Sequence, residues 1–420
     1  MGPEEWGTLT GRIDRLAREG LRVLAVARGL GHDDSLPARA HDFDFRFVGL
    51  VGLADPVRAD VPRAIAECHG AGIRVVMITG DYPATALSIA RQIGLDGTAA
   101  IVTGAELSAL SREELGDRVR VASVFARVLP EQKLQIVEAF KANGEVVAMT
   151  GDGVNDAPAL KASNIGVAMG GRGTDVAREA STIVLLDDDF ASLVQAVRAG
   201  RRIMDNLSKA LAYILAVHLP ILGLTLFPIF FGWPLVLLPI HIAFLHLVID
   251  PACSVVFEAE PEEADVMLRR PRAPNAPLFR RRDIALSIVQ GTIVTATVVG
   301  VYAVALGRGE GELDSRTLAF TTFMVANVGL IFTNRTWSGA GIGPRWSTNK
   351  ALAWLTAVVP VVLASVIYVP GLRDLFRFAP LRLVDIVICL GAGTLSVAWF
   401  ELYKVVSRRR TAKAQLLPTA

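Results

Sequence analysis

Beyond residue 206 the sequence carries six apolar segments, at 207–231, 235–257, 284–306, 317–334, 351–369 and 383–403. Runs of roughly 18 to 25 such residues are long enough to cross the hydrocarbon core of a bilayer as helices. Only helices and closed barrels satisfy every backbone polar group in lipid, so this part is expected to be a bundle of six transmembrane helices surrounded by membrane lipid. A hydrophobic content of 52% and a mean hydropathy of +0.43 agree with that reading. The loops give an orientation. Arg269, Arg270, Arg272, Arg280, Arg281 and Arg282 lie between the second and third segments, and Lys404, Arg408, Arg409, Arg410 and Lys413 follow the last. By the positive-inside rule the soluble part and the C-terminus are cytoplasmic, in a multi-pass protein expected in the plasma membrane. Arg373, Arg377 and Arg382, in the loop at 370–382, run against the rule.

Up to about residue 205 the pattern is that of an α/β domain. Strand-like runs at 21–27, 47–53, 74–79, 123–127, 145–151, 165–169 and 182–186 alternate with helical patterns such as "VPRAIAECHGAG". That alternation predicts a Rossmann-like parallel sheet covered on both faces, with ligands beyond the C-terminal strand ends. The net charge of +2 is too small to argue for nucleic acid, and no nucleic acid is expected as a partner. Cys68, Cys253 and Cys389 are far apart, form no CxxC or CPC pair, and read as free thiols. The opening "MGPEEWGTLTGRIDRLAREG" lacks the apolar core of a signal peptide and reads as the middle of a domain.

Two strand ends carry chemistry. "TGD", Thr79, Gly80 and Asp81, ends one strand, and the Thr79 hydroxyl and backbone suit a phosphate oxygen. "TGDGVNDAP" ends another: Asp152 and Asp156 are hard oxygen ligands for Mg²⁺, Asn155 suits both phosphate and metal-bound water, and Gly151 and Gly153 permit close backbone approach. Lys133, opening a helix, supplies a fixed positive charge. A lysine and Mg²⁺ together neutralise a phosphoryl group in flight. A lone TGD is as often a structural turn and a lone lysine is ordinarily solvated. The nonapeptide after an apolar strand is what tips the balance.

With these motifs in hand, the chain resembles the P-type cation-transporting ATPases of the calcium-type bacterial branch, whose phosphorylation domain is haloacid-dehalogenase-like. "LAREGLRVLAVAR", "GLVGLADPVRADVPRAIAECHGAGIRVVMITGD", "FARVLPEQK", "MTGDGVNDAPALKASNIGVAMG" and "GTDVAREASTIVLLDDDFASL" carry the resemblance. It implies ATP and Mg²⁺ as cofactors, with Asp152 as the magnesium ligand, Asn155 and Asp156 ordering the site, and Thr79 and Lys133 on the phosphoryl group. Asp55, Asp81 and Arg127 match positions near phosphate and nucleotide, and Arg22 matches an arginine on ATP phosphates. It also implies domains at 1–45 (the end of a nucleotide-binding domain), 46–205 (phosphorylation domain) and 206–410 (transmembrane domain), with a tail at 411–420.

That family forms an aspartyl-phosphate in a DKTGT motif, and these 420 residues contain neither DKTGT nor the TGE of the actuator domain. The resemblance therefore implies the C-terminal half of an ATP-driven pump, inactive alone. The alternative is a non-catalytic membrane subunit that complements a separate N-terminal half. A phosphatase using Asp42 and Asp44 of "DFDF" is disfavoured, because that motif precedes its strand.

Ionisable residues within spans are functional candidates by default. The first span holds His218 beside Pro220, and the second holds His241, His246 and Asp250 before Pro251. His246 and Asp250 are four residues apart and share a helix face. The bland alternative is that the histidines satisfy each other or backbone groups in the bundle core. His218, His246 and Asp250 are the candidates for the transported cation. Imidazole beside a single carboxylate suits a softer divalent ion or a proton-linked role better than Ca²⁺.

Overall fold

The computed structural model describes residues 3–30, 39–95, 101–336 and 349–415; parts of the expected 1–45 domain and of the 411–420 tail lie outside them. The chain divides into two units, Met1–Arg198 with Met267–Pro274, and Ala199–Val266 with Asn275–Ala420.

In the first unit, α1 (Pro3–Arg18) leads into β1 (Arg22–Leu30) and β2 (Asp44–Leu53). These two strands pair antiparallel, from Arg22 opposite Leu53 to Leu30 opposite Asp44, and not within a parallel sheet as expected. Antiparallel strands tolerate a short connection, whereas a parallel pair needs a long crossover, usually a helix. The expected boundary at 45/46 thus falls inside β2. The unit continues as α2 (Val61–Gly70), β3 (Met77–Ile78), α3 (Pro83–Gln92), β4 (Ile101–Thr103), α4 (Gly104–Ala109), α5 (Arg112–Val121), β5 (Val124–Ala126), α6 (Pro130–Ala142), β6 (Ala148–Gly151), α7 (Ala157–Ala162), β7 (Ile165–Met169), α8 (Asp175–Ala180) and β8 (Ile183–Leu185).

The remaining strands are parallel, in two sheets ordered β3-β5-β4 and β6-β7-β8. One helix serves both. On α6, Ile136 is buried in a cluster with Val102 and Phe125, and its neighbour Val137 in a cluster with Met149, Leu160 and Ala168. Ile78 and Val147 pack against both clusters. β3 and β6 are each the edge of their sheet, and both end in the polar motifs read from the sequence.

Among the described residues, the second unit contains six helices long and apolar enough to cross a membrane. They are α9 (Phe190–Phe231, which starts in the first unit), α10 (Pro239–Pro251) extended by a π turn (Ala252–Val256), α11 (Arg281–Gly307), α12 (Glu312–Arg335), α13 (Lys350–Tyr368) and, after the short α14 (Pro370–Phe376), α15 (Leu383–Gln415). Their number matches the sequence expectation. Small residues let these helices approach closely, as expected where lipid supplies no hydrophobic drive. A Cβ on Gly329 of α12 would lie 2.6 Å from Val397 of α15, and one on Gly393 of α15 would lie 2.7 Å from Val325 of α12. Pro220 removes the N–H that would bond the Ala216 carbonyl, and Gly291 of α11 packs beside that carbonyl, where a Cβ would lie 2.6 Å away.

Candidate phosphate site and ion path

The β3 end is a self-bonded loop. The Thr79 hydroxyl donates to Asp81 Oδ2 at 2.8 Å, and the Asp81 N–H donates back to Thr79 Oγ1 at 3.1 Å. The Thr79 carbonyl accepts from the Val128 N–H at 3.1 Å, and the Asp81 carbonyl from the Arg127 N–H at 3.0 Å. The loop at 127–129 is thereby tied to the TGD turn just before α6 begins. Arg127 takes the left-handed backbone at φ 54, and its guanidinium stands 5.5 Å from the centre of the Tyr82 ring. Tyr82 in turn donates its hydroxyl to Asp14 at 2.9 Å, which pushes the phenol's pKa above its ordinary value. Gly80 is exposed, with no atom closer than 4.0 Å to where a Cβ would stand.

At the N-terminal end of α6, Lys133 donates to Asp156 Oδ1 at 2.7 Å, with side chains only 18% and 10% exposed. Gln132 fixes that turn: its Nε2 donates to the Gly104 carbonyl at 2.8 Å, and its Oε1 accepts from the Leu129 N–H at 2.9 Å. Asp156 Oδ2 faces the backbone N–H groups of Asp152 and Gly153, both at 3.4 Å. A Cβ on Gly151 would lie 2.5 Å from the Asp156 Cβ, so this approach requires glycine. Asp156 is therefore the buried hub that joins β6 to α6. Asp152 and Asn155 are exposed, and the Asp152 carboxylate has no hydrogen bond or ion pair to any described residue. An unengaged carboxylate beside a lysine-carboxylate pair fits a magnesium ion that completes its shell with phosphate and water. Among the described residues no three His, Cys, Asp or Glu side chains gather into a metal site, so Asp152 would act without a carboxylate cage.

Asp55 and Arg22 are exposed, and no hydrogen bond or ion pair joins either side chain to these loops. The sequence reading overlooked Asp188, which accepts from the N–H groups of Gly171 and Arg172 at 2.9 and 2.8 Å and closes the loop after β7. Those bonds hold its pKa below the ordinary range, the Gly171 N–H most of all. The Arg58 guanidinium donates to the Asp188 carbonyl. Three consecutive aspartates at 187–189 were the available signal.

In the helical unit, the His218 and His246 rings meet edge to face at 6.0 Å, and His246 Nδ1 is 3.4 Å from Asp250 Oδ1. The His246 and Asp250 side chains are 45% and 73% exposed. His218 Nδ1 bonds the Ile214 carbonyl of its own helix at 2.8 Å. His241 belongs to the packing instead. It is fully buried, bonded to the Leu238 N–H and the Phe376 carbonyl, and stacked 4.8 Å from Phe378.

Residues 6–164 match the haloacid dehalogenase-like hydrolases, and residues 234–406 match the C-terminus of cation transporting ATPases. A probable cation-transporting ATPase F of Mycobacterium tuberculosis (strain H37Rv) is 38% identical over 388 residues, which is 91% of this chain and 43% of that protein. A calcium-transporting ATPase of Bacillus subtilis is 37% identical over 91% of this chain and 43% of its own length. One of Listeria monocytogenes is 36% identical over 94% of this chain and 45% of its own. The chain spans less than half the length of these curated relatives.

Proposed function

Because the chain belongs to the cation-transporting P-type ATPase family, we propose that it supplies the phosphate-handling loops and membrane helices of an ATP-driven cation pump, with the phosphate-accepting aspartate on polypeptide outside these 420 residues. One observation carries this reading. An exposed, unengaged Asp152 stands beside the partly buried Lys133–Asp156 pair at the end of an edge strand, and the TGD turn ends a second edge strand. Two parallel edge strands that both end in phosphate-type motifs suit an added strand bearing the acceptor.

In this reading Lys133 places positive charge on the phosphoryl group, with Asp156 fixing its ammonium. Thr79, Gly80 and Asp81 offer hydroxyl and backbone donors to the phosphate oxygens. Asp152 holds Mg²⁺, with Asn155 beside it, and the ion, when bound, neutralises charge on the transferring phosphate. Arg22, Asp55 and Arg127 serve the nucleotide. The first unit and the C-terminus face the cytoplasm, in the plasma membrane. Asp250, with His246 and His218, contributes to the transport site for a divalent cation.

The test is phosphorylation from labelled ATP. The purified chain alone is expected to take up no acid-stable label. Co-expressed with an acceptor-bearing N-terminal half, it should support a hydroxylamine-sensitive phosphoprotein whose turnover fails with Asp152→Asn. Acid-stable label on this chain alone would overturn the acceptor assignment, and turnover indifferent to Asp152→Asn would overturn the magnesium site.

A further inference from the structure

The charged connection after α10 buries two of its carboxylates, Glu260 and Glu263. Glu260 is 1% exposed, and its Oε1 accepts from Nε and Nη2 of Arg335, both at 2.9 Å. Its Oε2 accepts from Asn349 Nδ2 at 2.7 Å, and its backbone carbonyl accepts from Asn206 Nδ2 at 2.8 Å. Asn349 Nδ2 also donates to the Val256 carbonyl at 2.9 Å. Three helices thus grip one residue: α9 through Asn206, α12 through Arg335, and α13 through the asparagine that caps it. Nearby, Lys209 and Glu263 form a second buried pair at 2.7 Å.

Between this anchor and Asp250 lies the π turn. The Phe257 N–H reaches back five residues to the Ala252 carbonyl at 3.2 Å, and the Ser254 hydroxyl donates to the Asp250 carbonyl at 2.7 Å. A π turn holds one residue more than an α-helix, and such turns concentrate at functional sites. If it relaxed to α geometry with Glu260 fixed, the preceding helix would rotate by about 100° and shift by about 1.5 Å. That movement would carry Asp250 and His246 to another face.

We propose that Glu260, clamped by Arg335 and Asn349, is a positioning residue for Asp250 that acts through the π turn Ala252–Val256. The proposal rests on the reading of Asp250 as a transport-site residue, yet the anchor can be tested without any cation. Cys253 lies within the π turn and is partly exposed, whereas Cys68 and Cys389 are buried. It is a native reporter, with the other two as monitors of global unfolding.

The experiment measures N-ethylmaleimide labelling of each cysteine by mass spectrometry on the detergent-solubilised full chain. Without divalent cation, Glu260→Gln is expected to change Cys253 labelling about tenfold while Cys68 and Cys389 stay protected, because a buried pair that loses one charge is strongly weakened. Glu263→Gln, also at a buried position but outside the clamp, should leave Cys253 near the parent rate. Should Glu260→Gln not fold, Asn349→Ser keeps a capping side chain and removes the bonds to Glu260 and Val256; the same direction of change is expected. Parent-like Cys253 labelling in the folded variant overturns the anchor. Addition of Mn²⁺ or Ca²⁺ then addresses Asp250 separately. Slower Cys253 labelling in the parent and none in Asp250→Asn supports the transport site, and equal slowing in both overturns it with the anchor result intact.

Discussion

The two units bury charge for opposite ends. In the α/β unit, the Lys133–Asp156 pair stays 18% and 10% exposed, within reach of solvent and beside an unengaged Asp152. In the helical unit, Glu260–Arg335 is sealed at 1% and 1%, and Lys209–Glu263 at 2% and 6%. A loop proposed to take a phosphate has to admit it, and here the charges are pre-positioned but left wet. A helix bundle has to hold a frame, so its charges are dry and paired with one another. Inside the spans the contrast recurs: His241 is sealed in an aromatic box, whereas His246 and Asp250 face outward. Exposure of an ionisable group is what separates the residues proposed to work from the framing ones here.

The largest expected effect breaks or upholds that comparison directly. Arg335→Met leaves the Glu260 carboxylate buried without its cation and should cost about 3–5 kcal/mol of helical-unit stability. Lys133→Met, at a pair water can reach, should cost on the order of 1–2 kcal/mol. Denaturant unfolding in mixed micelles measures both, and equal losses would refute the distinction between dry and wet pairs.

Glycines sharpen the same contrast on a smaller scale. Gly329→Ala meets Val397 at 2.6 Å between two packed helices and is expected to cost about 1–3 kcal/mol. Gly80→Ala in the open TGD turn would meet nothing closer than the Val128 carbonyl at 4.0 Å and should change stability by less than about 0.5 kcal/mol. Any loss of phosphoryl turnover in Gly80→Ala then reports on ligand approach, since the fold does not need the glycine. A stability loss at Gly80 matching that at Gly329 would contradict the open geometry.

What the sequence disclosed divides along physical lines. Apolar length is a local property, so six helices were legible from residue 207 onward. The local geometry of "TGDGVNDAP" was legible because its bonds span only a few residues: Asp156 reaches back four residues to the Asp152 N–H. β4 (Ile101–Thr103) escaped notice, although β5 and β8, equally short, were read. β1 and β2 look like any strands in composition, and only their pairing shows a ribbon apart from the parallel sheets. The buried carboxylates were invisible for a deeper reason. "FEAEPEEADV" reads as a solvated loop, since the groups that bury Glu260 lie 75 and 89 residues away, at Arg335 and Asn349. His241 and His246 likewise share one helix, and Phe376 and Phe378, far along the chain, decide which is sealed.

The smallest expected effect concerns Asp188, at the edge of the wet unit. Its carboxylate accepts two loop N–H groups, and its pKa lies below the ordinary 3.8. A depressed folded-state value means the charged form is favoured by folding. The contribution is therefore complete above the unfolded value and is lost as the pH falls through the folded one. Asp188→Asn should unfold at a lower temperature than the parent near neutrality, and the gap should close on acidification from about pH 6 to about pH 2.5. Because the group is solvent-reachable, the gap should be modest and confined to the α/β unit's transition. A gap that persists unchanged at the acid end would mean that Asp188 holds the loop after β7 through packing alone, and that the wet unit's charges matter less to its frame than their hydrogen bonds indicate.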